Sequence, residues 1–110
     1  MARTLINMPA SAQRGEVIEI RTMIAHPMET GYRPGTDGTR VQRELIRRFT
    51  CTFDDGGSKE IVFAAELFPA IAANPYLAFF MKAGASGTLS LVWEGDNGFT
   101  QTETMALRVT

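Results

Sequence analysis

Apolar and polar residues alternate with a period of two along most of this chain. In residues 16–25, Ile18, Ile20, Thr22 and Ile24 share one face while Glu19 and Arg21 take the other, as a half-buried strand requires. Leu45, Phe49, Cys51 and Phe53 repeat the pattern, with Glu44, Arg48, Thr50 and Thr52 opposite. Arg47 falls on the apolar side, which predicts either a place near the strand's end or a charged partner. The turn signal Asp54-Asp55-Gly56-Gly57, followed by Ile61, Val62 and Phe63, predicts a hairpin onto a second strand over residues 59–67.

Residues 67–75 are alanine-rich but closed by Pro69 and Pro75, leaving room for at most one helical turn in a short crossover. Residues 76–83 are apolar on both faces and rich in aromatics, which predicts a central strand. Gly84-Ala85-Ser86-Gly87 then turns the chain into residues 88–94, where Leu89, Leu91 and Trp93 alternate against Ser90, Val92 and Glu94. A tight turn at Gly95-Asp96-Asn97-Gly98 leads to a last alternating run over residues 99–109. With a short first strand near residues 4–7, this gives about seven short strands, an all-β chain patterned as an immunoglobulin-like β-sandwich. The paired cysteines of true immunoglobulin domains are missing, so the pattern speaks for architecture and not ancestry.

Between residues 30 and 41 polarity rises and Gly31, Pro34, Gly35 and Gly38 cluster, predicting a long exposed loop of the kind that is usually functional or disordered. Its length of 110 residues suits a single domain spanning residues 1–110. A net charge of −1 supplies no basic field for nucleic acid. No run approaches the roughly 20 apolar residues that cross a bilayer, and the first thirteen lack a signal peptide's apolar core, which by itself suggests the cytoplasm. One cysteine cannot form an internal disulfide, so cysteine usage leaves the redox compartment open.

Chemistry-bearing residues are few. His26, Met28 and Glu29 offer nitrogen, thioether and carboxylate within four positions, a set that suits copper, although the same residues also suit a loop whose histidine caps a strand and whose methionine packs inward. An iron site of the superoxide reductase kind requires several histidines, and the chain has one. Cys51 sits mid-strand between Phe49 and Phe53, where burial quiets a thiol, so a core role is expected and no nucleophile is assigned. Ser11 and Ser58 lie in turn-like surroundings. Asp54, Asp55, Asp96 and Asn97 adjoin glycines and read as hairpin residues rather than calcium ligands. Tyr76 and Phe80, with Leu77, Phe79 and Met81 on the opposite face, cannot all pack into one core layer, so one face of that strand is expected to meet a partner or a second copy of the chain.

The hexapeptide His26-Pro27-Met28-Glu29-Thr30-Gly31, with Arg14-Gly15-Glu16 before it, the strand over residues 46–53, Asn74-Pro75-Tyr76 and Trp93 before a polar turn, resembles the SoxZ family. That resemblance implies an immunoglobulin-like subunit without catalytic residues, metal or cofactor, which forms a heterodimer with SoxY in the SoxYZ sulfur carrier of bacterial thiosulfate oxidation. SoxY carries the sulfur intermediate on the cysteine of a flexible Gly-Gly-Cys-Gly-Gly arm; this chain runs out as Met105-Ala106-Leu107-Arg108-Val109-Thr110, with no glycine-flanked cysteine. It is therefore expected to be the arm-less partner, in transient contact with other Sox enzymes. The resemblance also moves the expected location to the periplasm, by export together with SoxY. Partner contacts are expected from His26, Met28, Glu29 and Arg33 in the loop and from Tyr76 and Phe80 in the aromatic strand. The alternative is a stand-alone periplasmic immunoglobulin-like module that binds copper through His26, Met28 and Glu29.

Overall fold

The computed structural model describes residues 2–69 and 71–110. Eight strands run in the order β1 (Thr4–Asn7), β2 (Ser11–Ala12), β3 (Val17–Ile24), β4 (Ile46–Asp54), β5 (Lys59–Glu66), β6 (Tyr76–Lys82), β7 (Gly87–Gly95) and β8 (Thr100–Val109), with a 3-10 turn at Asp96–Gly98. They form a three-stranded sheet ordered β1-β3-β6 against a five-stranded sheet ordered β2-β8-β7-β4-β5, an immunoglobulin-like β-sandwich.

Alternation decides what is buried. Ile18, Ile20, Thr22 and Ile24 of β3 face Phe49, Cys51 and Phe53 of β4 and Leu89, Leu91 and Trp93 of β7 in one core. Aromatic rings close it on the side where β6 lies over β4 and β5. Phe63 stacks on Phe79 at 4.6 Å, and Phe49 contacts Phe79 at 6.0 Å and Trp93 at 5.1 Å. On the other side a polar contact joins the sheets, Thr4 Oγ1 donating to Glu103 Oε2 at 2.7 Å. The β4–β5 hairpin turns as its aspartates dictate: Asp54 Oδ1 accepts from the Gly56 amide, and Asp55 Oδ1 accepts from the amides of Gly57 and Ser58.

Two expectations need correction. The aromatic strand β6 is an edge strand and not a central one: Leu77, Phe79 and Met81 turn toward the core, whereas Tyr76, Ala78 and Phe80 are exposed. Arg47, by contrast, does lie at the strand's end as expected, the second residue of β4, and it escapes the core through a bulge, because the β4–β7 register shifts between Ile46 and Arg48 and the extra residue turns outward. Ser11 is not in a turn; it pairs with Arg108 in a short parallel contact between β2 and β8. The crossover over residues 67–75 contains no helix among its described residues, and its Ala70 lies outside them.

Candidate functional site

At one end of the sandwich the β3–β4 loop, the crossover before β6 and the β7–β8 turn meet. β3 ends at Ile24, and Pro27, three residues on, has no amide hydrogen with which to resume a ladder. The chain then makes a sharp turn in which Met28 takes a left-handed backbone, φ 53°, which side chains rarely tolerate unless the surroundings hold it. Those surroundings are explicit. His26 Nδ1 accepts from the Met28 amide at 3.0 Å across Pro27, and Met28 Sδ accepts from the Ile46 amide at 3.3 Å. His26 itself is clamped by Asn74, whose side-chain oxygen accepts from the His26 amide at 3.0 Å and whose own amide donates to the His26 carbonyl at 2.7 Å.

His26 and Met28 are 4% and 5% exposed. The expectation that they project toward a partner is thus corrected: loop backbone has no ladder to satisfy it, so these side chains turn inward and supply its bonds. With Nδ1 accepting, the ring proton sits on Nε2, which is buried without a hydrogen-bond partner among the described residues; the ring meets Phe99 edge-on at 5.0 Å. Desolvation holds the His26 pKa below its ordinary value, only partly offset by the nearby carboxylates of Glu44 and Asp96.

Beyond Met28 the loop returns to the surface. Glu29 and Glu44 exchange backbone hydrogen bonds of 2.8 Å, and Arg33 grips the Glu29 carboxylate with both Nε and Nη2, at 3.0 and 2.7 Å. The Arg33 guanidinium keeps the Glu29 carboxyl below its usual range. Gly31, at φ 90°, permits the turn between them. Tyr32 projects into solvent with the Arg40 guanidinium 5.9 Å from its ring centre.

Asp96 organises the loop's far end, a role that its glycine neighbours concealed. Its carboxylate accepts from Arg43 Nε and Nη2, both at 2.9 Å, and from the Leu45 amide at 3.1 Å. Arg43 is accordingly the main reason that the Asp96 carboxyl lies below its ordinary value. Gly95 is obligatory beside it, since a side chain there would collide with the Leu45 carbonyl, which also accepts from the Asp96 amide. An open cleft of about 430 Å³ follows, lined by Arg43, Arg47, Arg48, Glu66 and Phe68 among others. Nothing in the alternation marked this cleft, because it depends on the bulge at Arg47 and on the course of the crossover.

Tyr76 and Phe80 lie elsewhere, on the outer face of the three-stranded sheet, 54% and 65% exposed. Leu5 and Met23 adjoin Tyr76 there by strand register, and Val17 lies toward the sheet's other end. The predicted contact residues thus divide into an inward pair, His26 and Met28, a surface ion pair of half-buried Glu29 and exposed Arg33, and an exposed aromatic pair, Tyr76 and Phe80.

Metal chemistry finds little to work with. His26 Nδ1, Met28 Sδ and the Glu29 carboxylate are each committed to a different donor, and among the described residues no three of histidine, cysteine, aspartate and glutamate gather as a metal site. Cys51 is fully buried in mid-strand and its thiol is pushed up to about 12 by burial, matching the expected core role.

This architecture defines a class. The superoxide reductase (neelaredoxin) of Ignicoccus hospitalis is similar at 17% identity and TM-score 0.77, covering 97% of this chain and 80% of that one. SoxY, the sulfur carrier protein of Chlorobium limicola f thiosulfatophilum, is similar at 14% identity and TM-score 0.67, covering 97% and 78%. A superoxide reductase from Nanoarchaeum equitans is similar at 14% identity and TM-score 0.68, covering 94% and 90%. Identities this low establish a shared sandwich and no shared chemistry, and a multi-histidine iron site does not fit a chain whose one histidine is buried and bonded to its own loop. The family is fixed by sequence: residues 6–106 match the profile described as sulphur oxidation protein SoxZ, and the chain belongs to the SoxZ family. No curated protein matches the sequence.

Proposed function

We propose that this chain is the non-catalytic subunit of a SoxYZ-type sulfur carrier, a single SoxZ-like domain that binds and stabilises SoxY and helps present its sulfur-loaded C-terminal cysteine arm to the enzymes that act on it. The observation that carries this reading is the exposed apolar face of the three-stranded sheet in a chain of the SoxZ family, with Tyr76 and Phe80 as its largest anchors. Large aromatics on an otherwise polar surface are what interface centres favour. The ion pair Glu29–Arg33 extends the contact onto the loop, while His26 and Met28 act as positioning residues beneath it. The Cys51 thiol takes no part in sulfur transfer, because it is fully buried in mid-strand, where no sulfur donor reaches it and burial disfavours its thiolate. The same reading puts the chain in the periplasm, exported together with SoxY.

The test is co-expression with a candidate SoxY, followed by size-exclusion chromatography and intact mass. Co-elution as a one-to-one complex is expected. Separate elution of two folded proteins would remove SoxY as the partner.

A further inference from the structure

We infer that β6 is the pairing edge of a symmetric dimer, in which two copies of this chain join β6 to β6 antiparallel about a two-fold axis through Ala78. The inference concerns the chain alone and does not depend on SoxY.

Sheet edges are normally blunted, since a row of unpaired amides and carbonyls is a template for another strand. Three edges of this sandwich carry such protection. β1 has four residues and β2 two, while β5 is distorted by a register shift against β4 and carries Lys59, Glu60 and Glu66. β6 has seven residues, pairs with β3 without a register shift, and contains no proline and no charge before Lys82.

The ladder fixes what that edge offers. The Pro75 carbonyl accepts from the Ile24 amide and the Ala83 amide donates to the Glu16 carbonyl, so with the antiparallel register the odd-numbered residues of β6 bond to β3. Tyr76, Ala78 and Phe80 consequently aim their amides and carbonyls at the free edge. With the axis at Ala78, Ala78 pairs with Ala78 of the second copy and Tyr76 with Phe80 of the second copy, each a hydrogen-bonded pair made from those outward groups.

Side chains agree with this register. Leu5, Met23 and Tyr76 form a row across the outer face, which Phe80 of the second copy continues. Cross-strand aromatic pairs of this kind stabilise sheets. Glu19 and Arg21, the charges nearest the axis, neutralise each other at 2.8 Å, and Lys82 falls opposite Asn74 of the second copy, so no like charges oppose one another on the joined strands. Alanine on the axis leaves room for the close approach. A self-complementary patch related by a two-fold is the commonest form of homo-oligomer.

Light scattering and sedimentation of the purified full chain, from low micromolar to millimolar concentration, should show the mass doubling. Ala78→Glu sets two carboxylates against each other at the axis, yet within one copy it gains Arg21 as a cross-strand neighbour; it should weaken the dimer at least tenfold while leaving the melting temperature of the dilute, monomeric chain unchanged. Ile61→Glu on the β5 edge should leave the dimer intact. Amide exchange gives a readout that needs no variant, with the Tyr76, Ala78 and Phe80 amides becoming protected as concentration rises. A wild-type chain that stays monomeric throughout would overturn the inference, as would a dimer that survives Ala78→Glu or that exchanges those three amides freely.

Discussion

The β3–β4 loop and strand β6 use their side chains in opposite senses. In the loop, His26 and Met28 turn inward and bond to the backbone of Met28 and Ile46. In β6, Tyr76 and Phe80 turn outward into solvent. The difference follows from what holds each backbone. β6 is held along its length by β3, so its outward side chains are free to meet another molecule. Between His26 and Met28 the loop has no such ladder and carries a left-handed residue, so side chains there substitute for the missing bonds. A polar atom buried in a loop is thus structural here, and an aromatic exposed on a regular strand is available for recognition.

Met28→Ala strikes the loop half of this contrast hardest. It removes a buried side chain and leaves the Ile46 amide without its acceptor, and a loss of about 2–5 kcal/mol in urea unfolding is expected. Met28→Leu refills the volume but not the acceptor, and should cost about 1–3 kcal/mol. A change within about 0.5 kcal/mol in Met28→Ala would mean that the loop does not need its plug. The strand half is tested through SoxY. Tyr76→Ala and Phe80→Ala should each weaken association by about 2 kcal/mol or more, as central anchors do. Their unfolding free energies should stay within about 0.5 kcal/mol of wild type. The reverse outcome, lost stability with normal association, would abolish the contrast.

Cys51 belongs with the inward residues. Cys51→Ser should cost about 1–2 kcal/mol for a buried hydroxyl and leave carrier turnover intact. In the native chain the thiol should resist a disulfide reagent at mildly alkaline pH until the protein unfolds. Rapid native labelling would show the site to be open.

Most of the strands were legible because a sandwich core obeys a period of two, and Ile18 to Ile24, Leu89 to Trp93 and both glycine-flanked hairpins appear where alternation predicts them. The period fails where the backbone breaks it, as at the bulge that frees Arg47. It also fails to say whether a strand with two apolar faces is covered on both, which depends on sheet order; β6 read as central for that reason. The site was half legible. Gly31 does turn the loop, although β3 already ends at Ile24, ahead of Pro27, and the direction of His26 and Met28 depends on Asn74 and Ile46, which are distant in sequence. The Asp96 clamp on Arg43 and Leu45 lies just as far from its partners and carries no local signal.

His26 adds a smaller, pH-dependent term. Its folded pKa lies below the unfolded one, about 6.5, so the unfolded chain binds the proton first and stability is lost as pH falls through that value. Above it the stability is fully present. The slope cannot exceed about 1.4 kcal/mol per pH unit for one group, and His26→Gln should flatten it. The lowered carboxyls of Glu29, Asp37, Asp55 and Asp96 act in a separate, more acidic window, where stability falls again as they are protonated. A wild-type chain equally stable just above and just below pH 6.5 would show that the imidazole is not desolvated.

The smallest effect on stability should come from the surface ion pair of Glu29 and Arg33. Arg33 is well solvated, and an exposed pair gains little Coulomb energy after screening and side-chain ordering. The backbone around Glu29 is held independently by its reciprocal bonds with Glu44. Replacing Glu29 and Arg33 together by alanine should therefore leave the melting temperature unchanged while reducing SoxY assembly or carrier turnover, because the pair stands where the rigid end of the sandwich would present it. Replacing His26 and Met28 should reverse that pattern, lowering stability first and function only as the loop loosens. Normal assembly and turnover in the Glu29→Ala, Arg33→Ala variant would confine the recognition surface to the outer face of β6.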